Sequence, residues 1–194
     1  MFAIAITLLV IEIHVPVLGQ VNDRAFIEAL VHLIPSFVGF MLSFLVIARF
    51  WTGHHSAFNL IARYDASLLR PNIYLLMAIV FMPFATAFMA QNIGDRVPMT
   101  FYCVTLLITA ILSYRLIHLA TAPSMLRAGV DPDAAQLLNL RGRAAILGAA
   151  LASIASPVWP SYSPLALLSI PLWQAIMTWR HNRRHAALAS AASS

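Results

Sequence analysis

The chain is poor in charge: Asp, Glu, Lys and Arg make up only 10% of its 194 residues, and lysine is absent, so that all 12 basic residues are Arg. A soluble domain with so few charges would struggle to cover its surface, which excludes an ordinary water-soluble fold. Cysteine is nearly absent too. The lone Cys103 excludes an internal disulfide and gives no metal-site spacing. There is no Gly-rich phosphate loop, no nucleophile elbow and no Cys-x-x-Cys pair, so nothing points to an enzyme. The His residues are scattered apart from the adjacent pair His54-His55. Neighbours on a helix point about 100° apart, which is a poor geometry for chelating one metal.

What the chain has in abundance is apolar sequence. Hydrophobic residues reach 61% and the mean hydropathy is +0.82. The composition is that of an all-α integral membrane protein, and at roughly 20 residues per crossing plus loops the length suits one domain of about six crossings. Six apolar stretches stand out, at about 2–18, 31–51, 68–90, 99–121, 144–159 and 162–179. Together they define a single transmembrane domain over 1–180, followed by a tail over 181–194 that turns from basic to small and polar and is expected to be disordered at its end. The longest connection is 122–143, and Pro160-Ser161-Tyr162-Ser163-Pro164 reads as a tight turn.

Arginine sets the topology. Arg63, Arg70, Arg115, Arg127, Arg141, Arg143, Arg180, Arg183 and Arg184 flank one side, while Arg24 and Arg96 fall on the other and Arg49 lies inside the second stretch. This asymmetry predicts both termini in the cytoplasm of a plasma-membrane protein. It accounts for the pI near 10.1 without a nucleic-acid partner. Arg49 and Trp51 read as interfacial residues. Pro83 is expected to kink its helix, and Gly148, Ala152 and Ser153 to pack closely against a neighbour.

The first stretch, MFAIAITLLVIEIHVPVL, carries most of the functional information. It has no basic n-region, and Glu12 interrupts it, which argues against a cleaved signal peptide. Ile4, Leu8 and Ile11 follow i, i+4, i+7, with Thr7 beside them. Around a symmetry axis such a stripe forms stacked hydrophobic rings that gate ions by dewetting and steric closure. The same stripe is also what any lipid-facing or core helix surface looks like. Glu12 sits near the outer end, where it either draws cations to a pore mouth, or simply reaches the interface or pairs with Arg24. His14 is read as interfacial.

These residues resemble a known family. FAIAITLLVIEIHVP is similar to the first helix of bacterial members of the transmembrane protein 175 family, relatives of the endolysosomal potassium channel. Trp51-Thr-Gly-His54-His55-Ser-Ala-Phe58 resembles that family's W-x-x-H-H-x-x-F stretch. Asp65, Leu68, Asn72 and Phe81-Met82-Pro83-Phe84 follow in its order and spacing, so that the clear resemblance covers about residues 2–90. It implies a six-helix subunit and a homotetramer in which the first helix lines the pore without a re-entrant filter loop. It further implies Ile4 as the main constriction, Leu8 and Ile11 as pore-lining layers beyond it, and Thr7 as a determinant of potassium preference. Trp51, His54, His55, Asp65 and Asn72 would form a packing network at the inner end. The permeant species would be potassium, with membrane lipid and other copies of the chain as partners and no cofactor.

The resemblance also has a gap. Family members carry an Arg, a short spacer and Phe-Ser-Asp just before this point, and here Met1 stands where a Val is usual. The expectation is a gene start placed too far downstream, because the residues after Met1 keep the family pattern; the alternative is a truncated member that does not conduct. Two further functional readings stay open: a proton-coupled secondary transporter using Glu12 and His14, against which no inverted repeat is visible, and a non-conducting membrane scaffold.

Overall fold

A computed structural model describes residues 1–14 and 22–192, with side chains as far as Arg183. Among the described residues the chain is helical throughout. The helices are α1 (Phe2–Ile11), α2 (Asp23–His32), α3 (Ile34–Leu60), α4 (Ala66–Ala90), α5 (Arg96–Ala120), α6 (Pro132–Ala155) and α7 (Ile170–Ala192), with a 3-10 segment at Ser163–Ser169 before α7. Four of them, α3 to α6, are long and apolar enough to cross a membrane.

Several boundaries differ from the sequence expectation, each for a local reason. The stretch expected over 2–18 is helical only to Ile11; residues 15–18 lie outside the described residues. Pro16 has no N–H to give the Glu12 carbonyl, and the Nδ1–H of His14 occupies that oxygen instead, at 2.9 Å. The polar stretch that follows is not all loop. Asn22 caps α2, its Oδ1 accepting from the Ala25 N–H at 2.8 Å, and an Arg24–Glu28 pair at 2.9 Å spans one turn.

The second stretch, expected to end at 51, continues as helix to Leu60. The expectation followed hydropathy, which reads where the membrane ends rather than where the helix ends. Likewise α6 starts at Pro132 rather than 144, because Asp131 caps it and Pro132 suits a first-turn position. The connection before it therefore shrinks, and it is tied down: the Ala62 N–H donates to the Met125 carbonyl and the Arg127 N–H to the Leu60 carbonyl, both at 2.9 Å. At the last stretch, Pro164 lies in the first turn of the 3-10 segment and Pro171 in the first turn of α7, which runs on through Ala192, where a disordered end was expected.

The core centres on α5, which packs against both α4 and α6. Leu75, Ile79 and Met82 of α4 meet Tyr102, Cys103 and Leu106 of α5, all essentially inaccessible. Helices in lipid gain little from hydrophobic burial against one another, so close packing and hydrogen bonds hold the bundle. Both devices are present. Gly39 brings α3 against Ala90, and Ser43 Oγ lies 2.7 Å from Thr86 Oγ1 and 3.0 Å from Tyr102 Oη, linking α3, α4 and α5.

Candidate functional site

Helix α1 has two unlike faces. Phe2, Ala5 and Leu9 are buried against α3 and α4. On the opposite face Ile4 is 56% exposed and Ile11 68% exposed, with Thr7 exposed between them. At about 100° per residue Ile4 and Ile11 point within about 20° of one another, Leu8 lies about 40° to one side and Thr7 about 60° to the other. Leu8 is accordingly half-buried. The subunit thus presents a row of branched apolar side chains, about 10 Å long from Ile4 to Ile11, that no other part of the described chain covers.

Thr7 is the polar member of that face. Its hydroxyl donates to the Ile4 carbonyl at 2.9 Å, which uses its proton and leaves its acceptor lone pairs free of that bond. Glu12, the C-terminal cap of α1, is half-buried rather than aligned with Ile4. With Leu9 and Ile13 it lines a shallow cleft against Ser36, Thr86 and Gln91. It does not pair with Arg24, which bonds Glu28. His14 reaches the Glu12 backbone and not its carboxylate.

The five residues expected at the inner end separate into three arrangements. His54 Nε2 lies 2.9 Å from Asn72 Oδ1, joining α3 to α4. The same imidazole stacks on Phe58 with ring centroids 4.3 Å apart, and Phe2 of α1 packs against it at a tilt. Trp51 and His55 form a separate stack, centroids 5.5 Å apart, on the exposed face of α3. Asp65 stands apart as the cap of α4, where its carboxylate accepts from the Ser67 N–H at 2.7 Å. That hydrogen bond is the main reason its pKa falls below the ordinary carboxylate value. Phe2 was the residue sequence reasoning missed. Its one signal was position, one turn short of Ala5 and two short of Leu9 on the face opposite Ile4.

The helix that carries this uncovered stripe lies within the part of the chain that matches a known family. Residues 1–83 match the family described as the endosomal/lysosomal potassium channel TMEM175. A potassium channel of Streptomyces collinus is 31% identical over 176 residues, which is 88% of this chain and 80% of that protein. The chain belongs to the TMEM175 family. A potassium channel of Chamaesiphon minutus is 40% identical over 134 residues, 67% of this chain; the chain spans 66% of the length of that relative. The crystal structure of a lysosomal potassium-selective TMEM175 homolog from Chamaesiphon minutus superposes with a TM-score of 0.76 at 31% identity, covering 91% of each chain. The TMEM175 family is one of ion channels, not of enzymes.

Proposed function

We propose that this TMEM175-family protein is a potassium-preferring cation channel. Its pore runs along the symmetry axis of a homotetramer, with α1 of each subunit lining it. The observation that carries this reading is the α1 stripe: Ile4 and Ile11 are exposed on a helix whose other face is fully packed. Four such stripes around an axis would stack rings of branched side chains, with Ile4 as the narrowest and Leu8 and Ile11 as layers beyond it. Hydrophobic rings of this kind hold a pore shut by excluding water and open by a small radial displacement. Thr7, one turn from the constriction, offers oxygen lone pairs to a partly dehydrated ion, and Glu12 adds negative charge beyond Ile11.

The subunit would cross the membrane six times, through α1, α3, α4, α5, α6 and α7. Both termini would lie in the cytoplasm of a plasma-membrane protein, in keeping with nine Arg on one flank against two on the other.

The test is potassium flux into proteoliposomes holding the full chain, beside Ile4→Asn. Asparagine keeps the length of the side chain and wets the ring, so flux rises by about tenfold or more if dewetting holds the pore closed. Equal flux in both proteins removes Ile4 as the constriction, and absence of flux in both removes the channel reading.

A further inference from the structure

A cleft separate from α1 opens between α3, α5, α6 and α7, with a volume of about 120 Å³. Its wall is apolar, with Val46, Leu106, Ala110, Ala145 and Leu167 among the lining residues. Two guanidinium groups, those of Arg49 and Arg141, stand at its edge and are near enough to repel one another.

Among the described residues, neither cation finds a partner. The chain has seven acidic side chains, all on described residues, and none forms an ion pair with Arg49 or Arg141. Among the described residues neither guanidinium has a hydrogen-bond acceptor or an aromatic face, whereas Arg143 beside them has Tyr114 for both. Two like charges held together without a counter-charge are costly at the edge of a membrane unless an anion joins them.

The depth of the pair says what kind of anion. Arg49 lies where the apolar run of α3 gives way to Trp51-Thr52-Gly53-His54. Arg141 lies where the polar first half of α6, PDAAQLLNLRGR, gives way to AAILGAALASIA. Both therefore sit at the level of lipid headgroups, with the cleft extending from them into the apolar half of the bundle. A site with paired guanidinium groups above an apolar slot fits a phosphate that carries a hydrocarbon chain. A cleft of this volume compares with engineered cavities that admit a benzene ring, so it takes a short length of one acyl chain rather than a whole tail.

We infer that this cleft is a binding site for an anionic phospholipid, whose phosphate bridges Arg49 and Arg141 while part of one acyl chain enters between α3, α5, α6 and α7. The site is distinct from the α1 stripe and stands whether or not the protein conducts.

The experiment measures lipid retained by the full chain, purified in neutral detergent and titrated with phosphatidylglycerol or with phosphatidylcholine of the same acyl chains. Saturable retention of phosphatidylglycerol is expected, with an affinity about 30-fold above that of phosphatidylcholine, from two basic residues at the headgroup level. R49Q/R141Q should abolish the preference and R49K/R141K should keep much of it. All four substitutions fall on exposed positions, so folding is spared. Ala145→Phe, which fills the slot, should abolish retention of both lipids while elution volume and thermal unfolding stay unchanged. Equal retention of the two lipids, or a preference that survives R49Q/R141Q, overturns the assignment. So does full displacement by inorganic phosphate with Ala145→Phe without effect, which would make the pair a free-anion site. Ala145→Phe that weakens subunit assembly and leaves phosphatidylglycerol retention intact would give the cleft to a second copy of the chain, and likewise overturns it.

Discussion

The ring of Phe2 lies against that of His54, with centroids 5.4 Å apart and planes tilted by 55°. Through this contact the first residue of α1 rests on α3, and the imidazole it touches is fixed in turn by Phe58 and Asn72. The face of α1 that carries Ile4 is therefore oriented from behind. A double-mutant cycle with Phe2→Ala and His54→Ala should give a coupling of about 0.5–1.5 kcal/mol in unfolding free energy, the range for an aromatic pair beyond its buried area. Additive losses would mean that Phe2 is held by the apolar wall alone, and that His54 serves only Asn72.

Asp65 supplies a pH-dependent contribution at the base of α4. The Ser67 N–H bonds its carboxylate and lowers its pKa below the ordinary value of 3.8. A group depressed on folding contributes stability that is fully present above its unfolded pKa and is lost as pH falls through the folded value. Asp65→Asn keeps a capping oxygen and removes the titration. Thermal unfolding followed from neutral pH into the acid range should show a shallower acid limb in the variant. Superimposable acid limbs would mean that the cap does not titrate with folding.

How much of this was legible in the sequence depends on what each signal reports. Hydropathy located α4 and α5 to within a few residues because their apolar runs and their helices end together, at Gln91 and Thr121. It misjudged α3 and α6, whose helices project past the apolar run as polar helix. For α6 the correcting signal was present: Asp131-Pro132-Asp133 is a cap followed by a first-turn proline and an acid. Asn22 gave a similar signal for α2. The placement of Ile4 on an open face and Phe2 on a packed one follows from helical periodicity once the neighbours of α1 are known, which a single sequence does not say. The pairing of Arg49 with Arg141 was illegible for a deeper reason. The two residues are far apart in the chain, on helices whose relative rotation only the packed bundle fixes.

The buried hydroxyls give an ordering of mutational costs. Ser43 stands between Thr86 and Tyr102, at 2.7 and 3.0 Å. Thr86 also reaches the Met82 carbonyl of its own helix, at 2.9 Å. Tyr102→Phe removes one partner and leaves Ser43 its bond to Thr86, for a loss of about 0.6 kcal/mol, typical of an interhelical hydrogen bond in a membrane. Ser43→Ala instead leaves the fully buried Tyr102 hydroxyl without a partner, and should cost about 1–2 kcal/mol. Unfolding of both variants in detergent checks the order; a larger loss for Tyr102→Phe would place the stabilisation in Tyr102 rather than in the chain of hydroxyls.

Close approach of α6 to α7 depends on Gly148. A Cβ built there would collide with Ile170 Cγ1, and Ile170 Cδ1 would lie 3.1 Å from it. Ile170 opens α7 immediately after the 3-10 segment and ahead of Pro171, so it has little freedom to retreat along the helix. Gly148→Ala should therefore cost about 1–3 kcal/mol by overpacking, even though alanine is the better helix former. Ile170→Ala in the same chain should return part of that loss, because it removes the atoms in collision. Gly53 supplies the contrast. It also lies inside a helix, but its nearest neighbour would be Ile117 Cδ1 at 3.5 Å, an ordinary contact. Gly53→Ala should thus gain up to about 1 kcal/mol from helix propensity. Opposite signs for the two Gly→Ala changes would tie the requirement at Gly148 to the α6–α7 contact. Equal gains at both would show that α7 shifts freely, and that the bundle does not hold Ile170 in place.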